Sequence, residues 1–259
     1  MKKFSFILLL AISMANSTQA QDFQAPSTDN APGGWNFNIL STNISNQRTT
    51  AGYSYHWRHT WSVPTTALYF GFVGGAKQAD GISIDMGQSY EFGLDYILST
   101  EASLCKGIKF SIGLGTGWKN YRMTNQTMFL SHDDGTITLE SYPEGANPKF
   151  SRIHTWGLNV PMALSFRLDK RARSVFSIGP ELYFTPHACL KTRYSIDGEK
   201  QTLKEKNLHF NKVTVGLRTE LAIGAIGIYY KYNPFDVLDT NYAPEFCSMS
   251  AGLKVFLDW

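Results

Sequence analysis

Arg58, Lys109, Arg167, Arg218, Lys231 and Lys254 share one spacing rule with Glu91, Asp95, Glu181 and Glu220: each lies at an alternate position of a stretch whose other parity is apolar. Groups spaced by two along an extended chain project from one face. Six cations and four anions on such a face can do one of two things. Around an open passage they form a charged ring that selects ions, here with a slight preference for anions. In a dry interior they cross-link into ion pairs, because an unpaired buried charge is much the costlier state. The interiors of small barrels are just wide enough for side chains to fill, which favours the plug over the channel.

The histidines are the second candidate for chemistry. His132 is followed by Asp133 and Asp134, and His154, His187 and His209 fall near strand ends on the same side. A carboxylate pair beside an imidazole could activate water if the groups converge within hydrogen-bond reach, and several neutral imidazoles could hold a metal. Neither has diagnostic spacing, and HDDG reads equally well as a tight turn. GLGTG at Gly113–Gly117 is a weak echo of a phosphate-cradling loop, but no helix follows it. Glycines on an inward face, making room for side chains that cross the interior, are the plainer reading. Cys105, Cys189 and Cys247 have no paired spacing and read as isolated thiols. No catalytic residue, metal ligand or cofactor site is assigned, and a non-enzymatic protein is expected.

The elements that position these groups are alternating stretches. Ten are found: Trp35–Ile39, Tyr53–Trp57, Leu68–Phe72, Tyr90–Leu98, Phe110–Trp118, Trp156–Leu168, Phe176–Phe184, Val213–Ile223, Ile226–Tyr232 and the terminal SMSAGLKVFLDW. Tyr96 belongs by parity to the outward set of the fourth. The sixth alternates without a break over the ~9 to 11 residues that a tilted membrane strand needs. No stretch after the leader approaches the ~20 apolar residues of a membrane helix. Short and long joints alternate along the chain, as they do when short turns face the periplasm and long loops face outside. The fold class expected is all-β: an antiparallel up-and-down transmembrane barrel of about ten strands, with eight as the alternative. The last strand is expected to close the ring against Trp35–Ile39, and Leu253, Val255, Leu257 and Trp259 form its outward apolar face.

Residues 1–20 read as a secretory signal, with Lys2 and Lys3 before an apolar run and a small-residue site ending at Ala20. Residues 21–34 form a polar lead-in with Pro26 and Pro32, and residues 35–259 are the barrel. The formal charge is only +3, two units of it in the leader, which argues against a nucleic-acid partner. Charged residues make up 17% of the chain, below the ~25% of ordinary soluble domains.

Three stretches, GLNVPMALSF at Gly157–Phe166, SIGPELYF at Ser177–Phe184 and the terminal SAGLKVFLDW, together resemble the PorT-like and OmpA-like outer-membrane β-barrel proteins of Bacteroides-type bacteria. The resemblance implies an outer-membrane barrel, often of eight strands, and a terminal aromatic, here Trp259 with Leu253, Val255 and Leu257, read by the barrel insertion machinery. The expected partners are outer-membrane lipid, that machinery and other envelope proteins. The expected role is a scaffold, surface-binding or secretion-associated protein working through its outer loops. A narrow small-solute pore, a hydrolase at the outer rim and a soluble exported barrel with an internal ligand are the alternatives.

Overall fold

The computed structural model describes residues 35–39, 42–44, 66–79, 81–105, 107–124, 127–132, 135–169, 174–206 and 208–257. The regular elements among them are all strands. In chain order they are β1 (Trp35–Ile39), β2 (Thr42–Ile44), β3 (Ala67–Gln78), β4 (Tyr90–Cys105), β5 (Ile108–Arg122), β6 (Thr127–Ser131), β7 (Ile137–Ser141), β8 (Asn147–Arg167), β9 (Ser174–Ile196), β10 (Glu199–Glu205), β11 (Val213–Ile223), β12 (Ile226–Asp236) and β13 (Phe246–Phe256).

Eight of these close into a ring, β3-β4-β5-β8-β9-β11-β12-β13 and back to β3, with every pair antiparallel. The fold is an antiparallel up-and-down β-barrel, and the eight-strand alternative is the one realised among the described residues. The expected stretch Tyr53–Trp57 lies outside them, as does Arg58. The expected seam is corrected. β13 pairs along its whole length with β3, from Phe246↔Gln78 to Phe256↔Ala67. β1 instead pairs with β4 over Leu98–Ala102, just past the point where β3 stops at Asp95, and β2 folds back on β1. Closure was readable only as a need for some partner, because nothing in the parity of a strand names its neighbour.

The wall is sorted by parity. Leu68, Phe70, Phe72, Phe92, Leu217, Ile228, Leu253 and Val255 point outward and are exposed, whereas Glu91, Asp95, Glu181, Arg218, Glu220, Lys231 and Lys254 point inward and are buried. An outward aromatic band crosses four strands, with Phe70 stacked on Tyr90, Tyr90 on Phe92 and Phe92 on Trp118, whose ring adjoins Trp156. At the opposite end the turns are short, and β11 turns into β12 through Gly224, whose φ of 60° suits glycine.

Register shifts interrupt several strand pairs of the wall, and one of them lies in the middle of β4. Between Leu94↔Thr116 and Leu98↔Leu114, β4 carries three residues against one on β5. Tyr96 takes a φ of 53°, which is uncommon for a residue other than glycine. The bulge therefore turns two consecutive side chains, Asp95 and Tyr96, into the interior. This corrects the outward placement of Tyr96. Gly113 accommodates it, since a Cβ there would collide with the Tyr96 ring, and a Cβ on Gly117 would collide with the Tyr69 hydroxyl. The GLGTG stretch is thus explained by the space its neighbours need.

The interior is filled at three levels. A floor at the short-turn end consists of Ala67, Val175, Ala222 and Phe256. The charged groups occupy the middle. Above them lies an apolar cap built mostly by loops: Ile82 and Ile84 between β3 and β4, Phe129 and Ile137 of the β6–β7 hairpin, and Leu208 and Leu238 pack against Tyr121, Ile153 and Phe246 of the wall.

Because Gly117 and Tyr69 share one space, Gly117→Val should destabilise the barrel by about 1–3 kcal/mol, the usual range for overpacking. Adding Tyr69→Leu should recover part of that loss. Unfolding of the single and double variants in detergent is the measurement.

Candidate functional site

Strand alternation brings the inward charges together, because eight antiparallel strands point them at one narrow axis. Arg218 of β11 is the hub. Its Nη2 donates to Asp95 Oδ2 at 2.7 Å and Glu220 Oε2 at 2.8 Å, and its Nη1 lies 3.5 Å from Glu181 Oε1. Lys254 of β13 reaches the same two oxygens, at 2.8 Å from Asp95 Oδ2 and 2.6 Å from Glu220 Oε2. Asn159 donates from Nδ2 to Asp95 Oδ1 and Glu181 Oε1, both at 2.7 Å, and the Tyr183 hydroxyl donates to Glu181 Oε2 at 2.5 Å.

A second group lies on the cap side. Lys231 Nζ is 3.7 Å from Glu91 Oε1 and from Glu181 Oε1, and it lies over the rings of Tyr69 at 4.0 Å, Tyr229 at 5.1 Å and Tyr183 at 5.8 Å. The ring faces thus supply part of its compensation as cation–π contacts. Ser250 donates to Glu91 Oε1 at 2.8 Å, and Lys119 Nζ lies 3.8 Å from Glu91 Oε2 and 4.1 Å from the centre of the Tyr183 ring. The four cations Lys119, Arg218, Lys231 and Lys254 therefore face the four anions Glu91, Asp95, Glu181 and Glu220, and the cluster is formally neutral.

Of the ten residues expected here, Glu91, Asp95, Glu181, Arg218, Glu220, Lys231 and Lys254 enter this cluster. Lys109 forms a separate pair with Glu101 nearer the floor, Nζ to Oε1 at 2.9 Å. Arg167 stands at the end of β8, half-buried, with its backbone N–H donating to Gly107 O. Arg58 lies outside the described residues. Sequence reasoning missed Lys119, although it continues the inward parity of Lys109 to Gly117. It also missed Glu101, which keeps the inward parity of Glu91 and Asp95, because β4 runs past the expected joint.

The space left is small. A cavity of about 40 Å³ lies between cluster and cap, bordered by Tyr69, Lys119, Asn159, Tyr183 and Asn211. Pockets that hold small molecules occupy ~300–1,000 Å³; this one has room for ordered water only. Chemically, the cluster cross-links the strands that carry its members.

The histidines are dispersed. His132 Nε2 is 2.8 Å from Thr138 Oγ1 and 3.8 Å from Glu140 Oε1 over the β6–β7 hairpin, and His209 stacks on Tyr242 at 4.0 Å. His154 and His187 are on the outer wall, opposite Cys189 and Trp156. Asp133 and Asp134 lie outside the described residues. Among the described residues no three of histidine, cysteine, aspartate and glutamate gather as metal ligands, and the three cysteines are free. In the closing strand Leu253, Val255 and Leu257 point outward, and Trp259 lies outside the described residues.

No family model matches the chain, and no curated protein matches it. Similar solved structures include Ail, the attachment invasion locus protein of Yersinia pestis, at 10% identity over 74% of this chain and 95% of that one, with a TM-score of 0.32. Neisserial surface protein A is similar at 11% identity over 74% and 96%, with a TM-score of 0.30. The CymD monoaromatic hydrocarbon channel is similar at 9% identity over 75% and 67%, with a TM-score of 0.27.

Removing one member of a buried ion cluster strands the others, which typically costs about 3–5 kcal/mol. Arg218→Met should destabilise the barrel by that order, and adding Glu220→Gln should restore part of the loss. Denaturant unfolding of the single and double variants checks this; strictly additive losses would mean that the two groups are not coupled.

Proposed function

We propose that this chain is a non-enzymatic integral outer-membrane barrel, closed to solutes, that acts as a scaffold or surface-binding protein through the platform built by its outer loops. The observation that carries this reading is the three-level filling of the interior, with an apolar floor at Phe256, a neutral ion cluster around Arg218 and an apolar cap around Phe129 and Phe246. An ion entering such a lumen would meet apolar layers at both ends and, between them, charges that already pair with one another. The pore reading is therefore the weaker one.

Placement in a membrane is supported by the wall. β11, β12 and β13 are each eleven residues long, which matches the ~9–11 residues of a tilted spanning strand. Their outward faces carry Val213, Val215, Leu217, Ile228, Tyr230, Leu253 and Val255. A surface so apolar would be a liability in water. In lipid it is the favoured arrangement, with aromatic side chains at its margin. The leader expected over residues 1–20 would direct export, and the outward run Leu253, Val255 and Leu257 would be presented to the insertion machinery. The platform has its own architecture, because β8 and β9 are 21 and 23 residues long and continue beyond the aromatic band, with β10 added at their edge.

Two measurements test this. The full-length chain in planar bilayers should show no steady conductance, and a stable open level would overturn the closed-lumen reading. Leu217→Arg, on the outward face of β11 near its middle, should cost about 2–4 kcal/mol in lipid vesicles. An unchanged unfolding free energy there would mean that the wall does not face lipid.

A further inference from the structure

Four cations lie in a single register row across four adjacent strands. Arg122 of β5 is opposite Arg152 of β8, Arg152 is opposite Lys191 of β9, and Lys191 is opposite Lys204 of β10. Residues directly opposite in an antiparallel pair project from one face with their Cβ atoms only ~4.5–5.5 Å apart. That face is the outer one, because the intervening Ser151, Ile153, Leu190 and Thr192 are buried on the inner side. In the row above, the Phe150 ring lies within 5.9 Å of the guanidinium carbons of Arg122, Arg152 and Arg193.

Like charges directly opposite one another destabilise a sheet, so this row works against the fold that carries it. Among the described residues no acidic side chain pairs with this row: Glu199 and Glu205 of β10 are opposite Ile196 and Leu190 and so have the inner parity. Arg122 and Arg152 each retain a buried Nε with no hydrogen-bond partner among the described residues. His154, one row below and beyond the aromatic band, is pushed down to about 4 by its burial and then by Arg152 and Lys191. The geometry thus concentrates positive charge on this face.

The height of the row identifies its counterpart. Trp118 and Trp156, paired in the aromatic band, are four residues below Arg122 and Arg152, about 13 Å along the strand at ~3.3 Å per residue. Beneath them Leu158, Val160 and Met162 continue the outward apolar parity of β8. A molecule matching both zones has acyl chains below and anionic groups above. Guanidinium forks suit phosphate in particular.

We propose that the outer face of β5, β8, β9 and β10 binds the phosphorylated headgroup of an outer-leaflet lipid, with Arg122, Arg152, Lys191 and Lys204 on the phosphate and Phe150 holding the guanidinium planes in place. The proposal rests on the reading of the chain as an outer-membrane barrel. It adds a specific ligand class and a site on the lipid-facing side of the platform.

The test uses the full chain refolded into phosphatidylcholine vesicles, with lipid A as the phosphorylated probe and the same lipid stripped of its phosphates as its partner. Retention of each probe by the washed protein is measured. The wild type should hold lipid A at least tenfold more tightly than the stripped lipid. The variant Arg152→Gln/Lys191→Gln/Lys204→Gln should lose on the order of 100-fold in affinity, each cation near a membrane surface contributing a severalfold factor. Lys77→Gln, which removes a cation elsewhere at the loop end, should behave as wild type. Equal retention by the triple variant, or of the stripped lipid, overturns the proposal. Competition by inorganic phosphate alone would make it a small-anion site, and competition by soluble polyglutamate would indicate an acidic protein instead; either overturns it. A chain that gives no heat-modifiable band in vesicles before any probe is added overturns the membrane reading itself, and so the two failures are distinct.

Discussion

The Arg218 cluster is the constraint on which the rest of the barrel depends. Eight strands enclose a space too narrow for bulk water and too wide to leave empty, so the inward side chains must fill it and satisfy one another. Charged side chains accomplish both only if their signs balance locally. Arg218 and Lys254 share the oxygens of Asp95 and Glu220, Asn159 bridges Asp95 and Glu181, and Lys231 lies over tyrosine faces. The cluster ties β4, β8, β9, β11, β12 and β13 across the interior, whereas backbone bonds join only neighbouring strands. Such an arrangement specifies the ring: a two-residue slip of β11 would move Arg218 off its carboxylates while leaving the apolar wall intact.

The two apolar layers follow from the same constraint. A buried cluster of this kind is stable only when water is kept from competing for its bonds. Phe256 supplies that exclusion at the short-turn end, and the loops supply it at the other. The cap has a cost in chain entropy, because several long loops must be ordered to bring Ile82, Phe129, Leu208 and Leu238 together. Their burial offsets that cost and leaves the loops as a folded platform, a suitable base for recognition.

Inside and outside of the sheet thus obey opposite rules. Inward, the charges are mixed and paired, as low dielectric requires. Outward, above the aromatic band, Arg122, Arg152, Lys191 and Lys204 have one sign. One surface has been made self-sufficient, and the other has been left in need of a counter-charge.

The sequence by itself determined most of what depends on period two. Leu217 outside and Arg218 inside, the glycines of GLGTG inside, the alternation of short and long joints and the last eight strands could all be read, because parity is a local property of an extended chain. Seven of the ten expected interior charges are members of the central cluster for the same reason. Tertiary structure decided what depends on pairing between distant strands. The seam between β13 and β3, the bulge that turns Tyr96 inward, and the loop residues that meet in the cap have no signature within a single stretch. The basic row is the clearest case. Arg122, Arg152, Lys191 and Lys204 are scattered over more than eighty residues and become neighbours only once the register of three strand pairs is fixed, because charge density is a property of the sheet and not of any strand in it.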